Sequence, residues 1–332
     1  MDSIGDLART FVLRSNQTRL RAEMDQRAVE IATGFTSDPT KRLGGDVAGL
    51  ISLDRSMARL EAFRISTAEA RFVTQTMQST LEEIQTRGES VSQILISAEL
   101  TPTGNLLETM TDGAESALEQ TISALNRSVA GRSLFAGRAT DQIAVVDKDT
   151  LISTIRSGLT GLTQKADIEA ALNNFFSDGG DFDSLMYQGS QLNLAPIRIS
   201  DTTEVRIDIR ADSPELKDTL KSLAQAVLAN DPGLNLKTET RLELIKQSGE
   251  DLLENQGDLI KTRAALGATQ ALVEENLKIV ENSTTSSSIT KLELVGIDPY
   301  ESASRYENIR AQLESLYAIT ARSQRLSLAE YL

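Results

Sequence analysis

Apolar residues at both ends of the chain recur at alternating steps of three and four, a spacing typical of a coiled-coil seam. The pattern predicts helices over residues 8–33 and 299–327. Pro39 cannot continue the first helix, while Asp298 and Pro299 suit the N-cap and first helical position of the second. The predicted seam residues are Leu13, Leu20, Met24 and Ile31 near the N-terminus and Ile309, Leu313, Leu316 and Ser323 near the C-terminus.

Longer amphipathic patterns lie inside these terminal segments. They predict helices over residues 47–100 and 106–129, and a third from residue 237 to residue 280 or beyond. Residues 282–288 are almost all Ser and Thr, which are weak helix formers, so we expect the backbone to bend or fray there.

The pattern changes after Gly137, which marks the start of a different kind of segment. Residues 195–199 and 204–209 alternate between apolar and polar positions, which predicts short strands with one face in solvent. A helix over residues 214–229 follows, and Asp231-Pro-Gly closes the region. The middle of the chain is therefore predicted to be a small α/β insert.

These predicted elements are nested along the chain. We expect a terminal coiled coil from residues 1–33 and 299–332, a helical rod from residues 34–137 and 237–298, and the insert at residues 138–236. Neither terminal helix can bury its stripe alone, so the two are expected to pair. The predicted fold class is mainly α: an elongated helical bundle or coiled coil of paired N- and C-terminal helices, with the α/β insert in its middle.

The amino-acid composition excludes most kinds of catalytic site. The chain has 332 residues with neither Cys nor His, so no thiolate or imidazole can act as a nucleophile, base or metal ligand. We expect no enzyme activity and no cofactor. A net charge of −14 makes nucleic acid a poor partner, and no stretch approaches the ~18 apolar residues of a membrane span. No pattern typical of a secretory signal peptide follows Met1.

Two local motifs could be taken for ligand-binding sites. Gly131-Arg-Ser-Leu-Phe-Ala-Gly137 has five residues between its glycines and no Lys-Ser/Thr after them, so we predict a tight turn packing Phe135 rather than a phosphate loop. Asp178, Asp181 and Asp183 do not have the spacing of a calcium-binding EF-hand, and we predict a solvated loop.

Several short segments, taken in order, resemble one known family. They are Ala32-Thr-Gly34, Ser37-Asp-Pro39, Ala48-Gly49-Leu50, Gly131-Arg-Ser-Leu-Phe-Ala-Gly137, Arg263-Ala-Ala-Leu-Gly-Ala268, Ile297-Asp-Pro-Tyr-Glu301 and Leu326-Ser-Leu-Ala-Glu-Tyr-Leu332. Together they are similar to the flagellin superfamily and, within it, to the hook-associated protein of the hook–filament junction (the FlgL family). The resemblance covers about residues 1–137 and 240–332. Ser133 stands where the family turn has an aromatic residue.

The resemblance implies a structural subunit of the bacterial flagellum. Such proteins are exported unfolded through the flagellar type III apparatus with the help of a cytosolic chaperone, without a cleaved signal peptide. They assemble outside the cell as a ring of identical subunits between hook and filament, next to another hook-associated protein and flagellin. Their paired terminal helices form an inner tube, and the insert faces outward. Gly131, Phe135 and Gly137 would form the family's turn.

Other interpretations stay open at this point. The chain could be a flagellin, the filament subunit itself, although Tyr331-Leu332 and the Phe-Ala-Gly turn favour the junction protein. A cytosolic coiled-coil scaffold would have helices that are stable in isolation and would not be secreted. Periodicity alone fits an intramolecular bundle at the termini as well as an assembly surface. An enzyme within residues 138–236 is disfavoured because that segment holds no catalytic constellation.

Overall fold

The computed structural model describes residues 4–97 and 104–329, and most of these residues are helical. The helices are α1 (Ile4–Thr33), α2 (Pro39–Arg42), α3 (Ala48–Ile96), α4 (Gly104–Leu125), α5 (Lys148–Leu159), α6 (Lys165–Phe176), α7 (Pro214–Ala229), α8 (Thr238–Val295) and α9 (Pro299–Ala329). Short strands are β1 (Ser128–Val129), β2 (Arg132–Ser133), β3 (Ile197–Arg198) and β4 (Glu204–Val205). The mainly α fold class predicted from the sequence is confirmed.

The predicted helices agree with the observed ones within a few residues, and α7 has the predicted bounds. The prediction of a frayed backbone at residues 282–288 was wrong, because α8 continues to Val295. The bend expected there stays a prediction. The hydroxyls of Thr284 and Thr285 donate to the carbonyl oxygens four residues earlier, at 2.8 and 2.9 Å. These hydroxyls are thereby satisfied on the helix itself, an arrangement that often bends helices slightly.

The two predicted strands of the insert are present but short. Ile197 lies opposite Val205 and Arg198 opposite Glu204, in an antiparallel pair. The alternation continues past the end of β4, since Ile207 is buried while its neighbours are exposed. The side chain of Asn193 donates to Asp208 at 2.7 Å, so side chains hold the two segments together beyond the ladder.

The described residues form two compact units. Unit 1 contains the residues up to Ala62 and from Val280 onward, and unit 2 contains Phe63–Ile279. One hydrophobic cluster of unit 2 runs from Ala70 to Val273 and includes residues of both the predicted rod and the predicted insert. The three-part division into coiled coil, rod and insert stays a prediction.

Unit 1 has a much smaller core. Among its described residues, the apolar side chains that are buried are Leu20, Leu50, Val280, Val295 and Leu313. The polar residues Glu30 and Ser302 are buried with them. Because this unit contains α1 and α9, the predicted seam residues all belong to it.

Candidate assembly surface: the terminal helix pair

The terminal helices α1 and α9 pack along one another, as the seam pattern predicts. Leu20 and Leu313 form the buried part of this contact, with 5% and 7% of their surface exposed. Leu13, Met24, Ile309 and Leu316 are half-buried. Ile31 is 40% exposed, and the side chain of Ser323 lies outside the described part of the chain. That these residues form an assembly surface stays a prediction.

A polar contact beside the seam also joins the two helices. The guanidinium of Arg21 donates to the hydroxyl of Tyr317 through Nε at 2.8 Å and Nη2 at 2.5 Å. The same guanidinium lies 5.6 Å from the centre of the tyrosine ring, within cation–π range. Sequence reasoning missed this pair, because hydrophobic periodicity carries no information about contacts between polar positions.

A second stripe of α1 faces away from α9. At ~100° per residue, seven exposed residues lie within about 40° of the direction opposite Leu20. They are Phe11, Ser15, Thr18, Ala22, Asp25, Val29 and Thr33. Phe11 is 75% exposed and Val29 is 55% exposed. We call these seven residues the outer stripe of α1.

The loop after α1 is bonded to the segment that precedes α9. Gly34, with φ of +77°, ends α1, and its amide donates to the carbonyl of Glu30 at 2.8 Å. The amide of Thr36 donates to the carbonyl of Val295 at 2.8 Å, and the amide of Ile297 donates to the carbonyl of Gly34 at 3.0 Å. These hydrogen bonds fix where α9 starts relative to the end of α1.

The beginning of α9 is capped as the sequence predicts. The carboxylate of Asp298 accepts hydrogen bonds from the amides of Tyr300 at 2.8 Å and Glu301 at 3.1 Å. Two of the amides that a helix N-terminus leaves unpaired are thereby satisfied. Asp38 caps α2 in the same way, accepting from the amide of Lys41 at 3.0 Å.

The glycine-flanked motif of unit 2 forms a hairpin and a buried turn. Ala130 and Gly131 both have positive φ, at 50° and 77°, and join β1 to β2 as a two-residue hairpin turn requires. Phe135 is completely buried. Gly137 has φ of +59°, and a Cβ there would lie 2.4 Å from the carbonyl oxygen of Leu192. Only glycine fits this position.

The acidic loop of the insert is paired with a buried lysine. Nζ of Lys217, a residue only 3% exposed, lies 2.9 Å from Asp178 and 3.3 Å from Asp183. Burial lowers the pKa of Lys217, but its hydrogen bonds with the two carboxylates outweigh burial and raise it. The prediction of a solvated loop fits Asp178, whose side chain is 94% exposed, and was wrong for Asp183, at 13%.

No cluster suited to a metal ion occurs within residues 4–97 and 104–329. The same ranges contain no helix that is both long enough and apolar enough to span a membrane. The features that stand out are therefore the terminal helix pair, its outer stripe and the hydrogen-bonded junction beneath them.

Comparison with known protein families bears on one of these features, helix α9. Residues 254–332 match the sequence model of the bacterial flagellin C-terminal helical region. This match takes in α9, so half of the terminal helix pair has the sequence pattern of a flagellin. No functionally curated protein matches the chain.

Solved structures allow a comparison of the fold. FlgL of Bacillus cereus superposes with a TM-score of 0.52 at 16% identity, over 73% of this chain and 99% of that one. A protein proposed to be a flagellar hook-associated protein of Vibrio parahaemolyticus gives a TM-score of 0.42 at 14% identity, over 72% of this chain and 96% of that one. The chain is FlgL-like in fold and carries a flagellin-type C-terminal region, which confirms the resemblance found in the sequence.

Proposed function

We propose that this chain is a structural subunit of the bacterial flagellum that joins the hook to the filament. Its flagellin-type C-terminal region and its FlgL-like fold support a structural role in the flagellum. The finer assignment to the hook–filament junction rests on the sequence motifs, above all the Phe-Ala-Gly turn and the ending Tyr331-Leu332.

In this proposal the subunits form a ring outside the cell, after export through the flagellar type III apparatus with a chaperone. Each copy contacts other copies, and the ring contacts another hook-associated protein on one side and flagellin on the other. A ring needs a heterologous contact that is repeated between neighbours. Two different surfaces of the same subunit must therefore be available.

The structural observation that supports an assembly role is the outer stripe of α1. Phe11 and Val29 are more than half exposed on the face opposite the seam. Exposed apolar residues at helical spacing are typical of a surface that another helix covers. A neighbouring copy in the ring is the partner that the proposal assigns to this surface.

The location of the protein distinguishes a junction protein from a flagellin. The chain, with an epitope tag in an exposed loop, would be expressed in a strain that makes hooks but lacks filaments, and the hook–basal structures would be purified. A junction protein should be retained on them at a fixed ratio to the hook subunit. Absence from these structures, together with abundant protein in intact filaments, would identify a flagellin instead.

The same experiment has a third outcome if the chain is a cytosolic scaffold. Such a protein would be found in the cell lysate of the same strain, and removal of the export apparatus would leave its distribution unchanged. The proposal requires instead that the protein accumulates inside the cell when export is removed.

A further inference from the structure

Glu30, close to the end of α1, is a carboxylate buried in the small core of unit 1. It is 1% exposed, and ionised side chains are rarely buried unless they are paired and hydrogen-bonded. Its Oε2 accepts a hydrogen bond from Nη1 of Arg27 at 2.6 Å. Its Oε1 accepts from the amide of Ser37 at 3.0 Å and from the hydroxyl of Ser37 at 2.7 Å.

The hydroxyl of Ser37 takes part in a further bond, which completes the arrangement. Nε2 of Gln26 donates to this hydroxyl at 2.7 Å, while the hydroxyl itself donates to Glu30. We call Gln26, Arg27, Glu30 and Ser37 the Glu30 cluster. Since all of its donors point at one carboxylate or at the serine bound to it, the cluster depends on Glu30 remaining an acceptor.

The cluster orders a loop that reaches α9. Ser37 lies in the same loop as Gly34 and Thr36, whose backbone groups bond to Ile297 and Val295. Glu30 therefore holds the loop from the α1 side, and the segment before α9 holds it from the other. Loss of the Glu30 contacts would leave these two backbone hydrogen bonds, the hydrogen bond from Arg42 to the carbonyl of Leu294, and the contact between Lys291 and the ring of Phe35 to keep this junction in place.

Charged groups from three elements line the cleft beside the cluster, which has a volume of about 450 Å³. The basic side chains are Arg27 from α1, Lys41 and Arg42 from α2, and Arg305 from α9, and the other acidic ones are Asp38, Asp298 and Glu301. Arg42 donates to the carbonyl of Leu294 at 3.1 Å, and Arg305 pairs with Glu301. The surroundings of Glu30 thus contain cations on every packed element.

We propose that the Glu30 cluster is a charge-dependent switch at the base of the terminal helix pair. Ionised Glu30 fixes the loop between α1 and α2 to the segment before α9, and neutral Glu30 releases that loop while the helices remain formed. The order of this junction in the isolated chain then depends on pH. The proposal is independent of the proposed flagellar role.

The direction of the pH dependence follows from the contacts. Burial raises the pKa of Glu30, but the hydrogen bonds from Ser37 and Arg27 lower it by more than burial raises it. The pKa of Glu30 therefore lies below its ordinary value. The contribution of Glu30 to stability is present above the pKa of an unfolded glutamate, about 4.3, and is lost as pH falls through the folded pKa.

Hydrogen exchange of the full chain, corrected for the intrinsic rate at each pH, tests the switch. In Glu30→Gln at pH 7, we expect the amides of Thr36, Ser37 and Ile297 to exchange about tenfold faster than in the wild type, as loss of a hydrogen bond to a charged group would give. The amides of α1 should keep their protection. The matched control is Glu23→Gln in the same helix. The Glu23 side chain is 42% exposed and pairs with Arg19 at 2.8 Å, so this variant should behave like the wild type.

Hydrogen exchange measured over a series of pH values shows whether the effect of Glu30 depends on its charge or only on its packing. The wild-type rates should approach those of Glu30→Gln as pH falls below the ordinary glutamate pKa of about 4.3. A difference that stays constant down to pH 3, or equal effects of Glu23→Gln and Glu30→Gln, would overturn the proposal.

A second variant covers the case in which Glu30→Gln unfolds unit 1. Ser37→Ala removes the hydroxyl but leaves the carboxylate with Arg27 and the amide of residue 37. It should accelerate exchange in the loop alone, by less than Glu30→Gln does. Loss of protection throughout α1 in both variants would show that the cluster supports the whole unit and not a releasable loop.

Discussion

Unit 2 and unit 1 are built from similar helices but bury very different amounts of apolar surface. Unit 2 encloses large side chains such as Phe135, Phe182 and Leu118, which are fully buried, in one continuous cluster. The buried apolar residues described for unit 1 are five aliphatic side chains. Because hydrophobic burial is the main favourable term in folding, unit 2 should be the stable part of the monomer. Unit 1 is the part that a partner could stabilise.

The two units also differ in charge. The segments of unit 1 contain 14 Lys and Arg against 16 Asp and Glu, a net charge of −2. Unit 2 contains 20 against 32, a net charge of −12. Strong like charge opposes close association of copies and favours solvent. The nearly neutral unit is thus the better candidate for a subunit contact, and the acidic one for a surface that stays in water.

The largest expected effect lies in the core of unit 2. Phe135→Ala should destabilise this unit by about 3–5 kcal/mol, because it removes a fully buried ring and leaves a cavity. Urea unfolding followed by far-ultraviolet circular dichroism measures the loss. Phe72 is 56% exposed in the same unit, and Phe72→Ala should cost less than about 1 kcal/mol. Similar losses in the two variants would contradict the assignment of Phe135 to the core.

The glycine turn next to Phe135 should show a smaller but specific effect. In Gly137→Ala, the added methyl group would sit on a residue with positive φ and lie too close to the carbonyl oxygens of Leu192 and Ser190. We expect this substitution to lower the free energy of unfolding by about 2–3 kcal/mol. At Gly131 φ is also positive, but a methyl group added there would meet no atom within 4 Å. Gly131→Ala should therefore cost only about 1 kcal/mol. The same unfolding experiment compares the two, and a reversed order would refute the role given to the carbonyls.

Within unit 1, the seam can be weakened without affecting unit 2. Leu313→Ala removes one of the two most buried seam side chains and should accelerate amide exchange in α1 and α9. The unfolding midpoint of unit 2 should not change. Ile319 is 52% exposed on the same helix, so Ile319→Ala serves as the control. A shift in the midpoint of unit 2 with Leu313→Ala alone would mean that the units do not fold independently.

The smallest expected effect is a stabilisation in unit 2. The hydroxyl of Thr67 is buried and has no hydrogen-bond partner. Thr67→Val keeps the shape and removes the unpaired group, which should stabilise the protein by about 1 kcal/mol. The hydroxyl of Thr74, also buried, donates to the carbonyl of Ala70 at 2.9 Å. Thr74→Val should be neutral or destabilising, and equal gains at both positions would contradict this explanation.

Helix periodicity and terminal signals predicted much of the fold. The bounds of α7 and the cap at Asp298 follow from local residue types, which act within one turn of helix. The fraying expected at residues 282–288 does not occur, and the threonine hydroxyls there are satisfied on the same helix. Propensity alone does not show which hydrogen bond such a residue will make.

The polar contacts of the candidate site were not predictable in the same way. In the sequence, Glu30 cannot be told from the other charged residues of α1. Its partner Ser37 lies in a loop whose path depends on the segment before α9. Lys217 and the Arg21–Tyr317 contact are similar cases, since each joins residues that are far apart in the sequence. Pairings of this kind come from tertiary structure, and a single sequence carries no periodic signal for them.

In the proposed assembly, the outer stripe of α1 forms a contact between subunits. Two double variants should be compared in cells: Phe11→Asp with Val29→Asp on the outer stripe, and Leu185→Asp with Leu192→Asp on the exposed surface of unit 2. We expect the outer-stripe variant to be exported, to keep the wild-type unfolding midpoint of unit 2, and to appear in the culture medium together with unpolymerised flagellin. The unit 2 variant should support normal filaments. Normal filaments with the outer-stripe variant would show that this stripe is not a subunit contact.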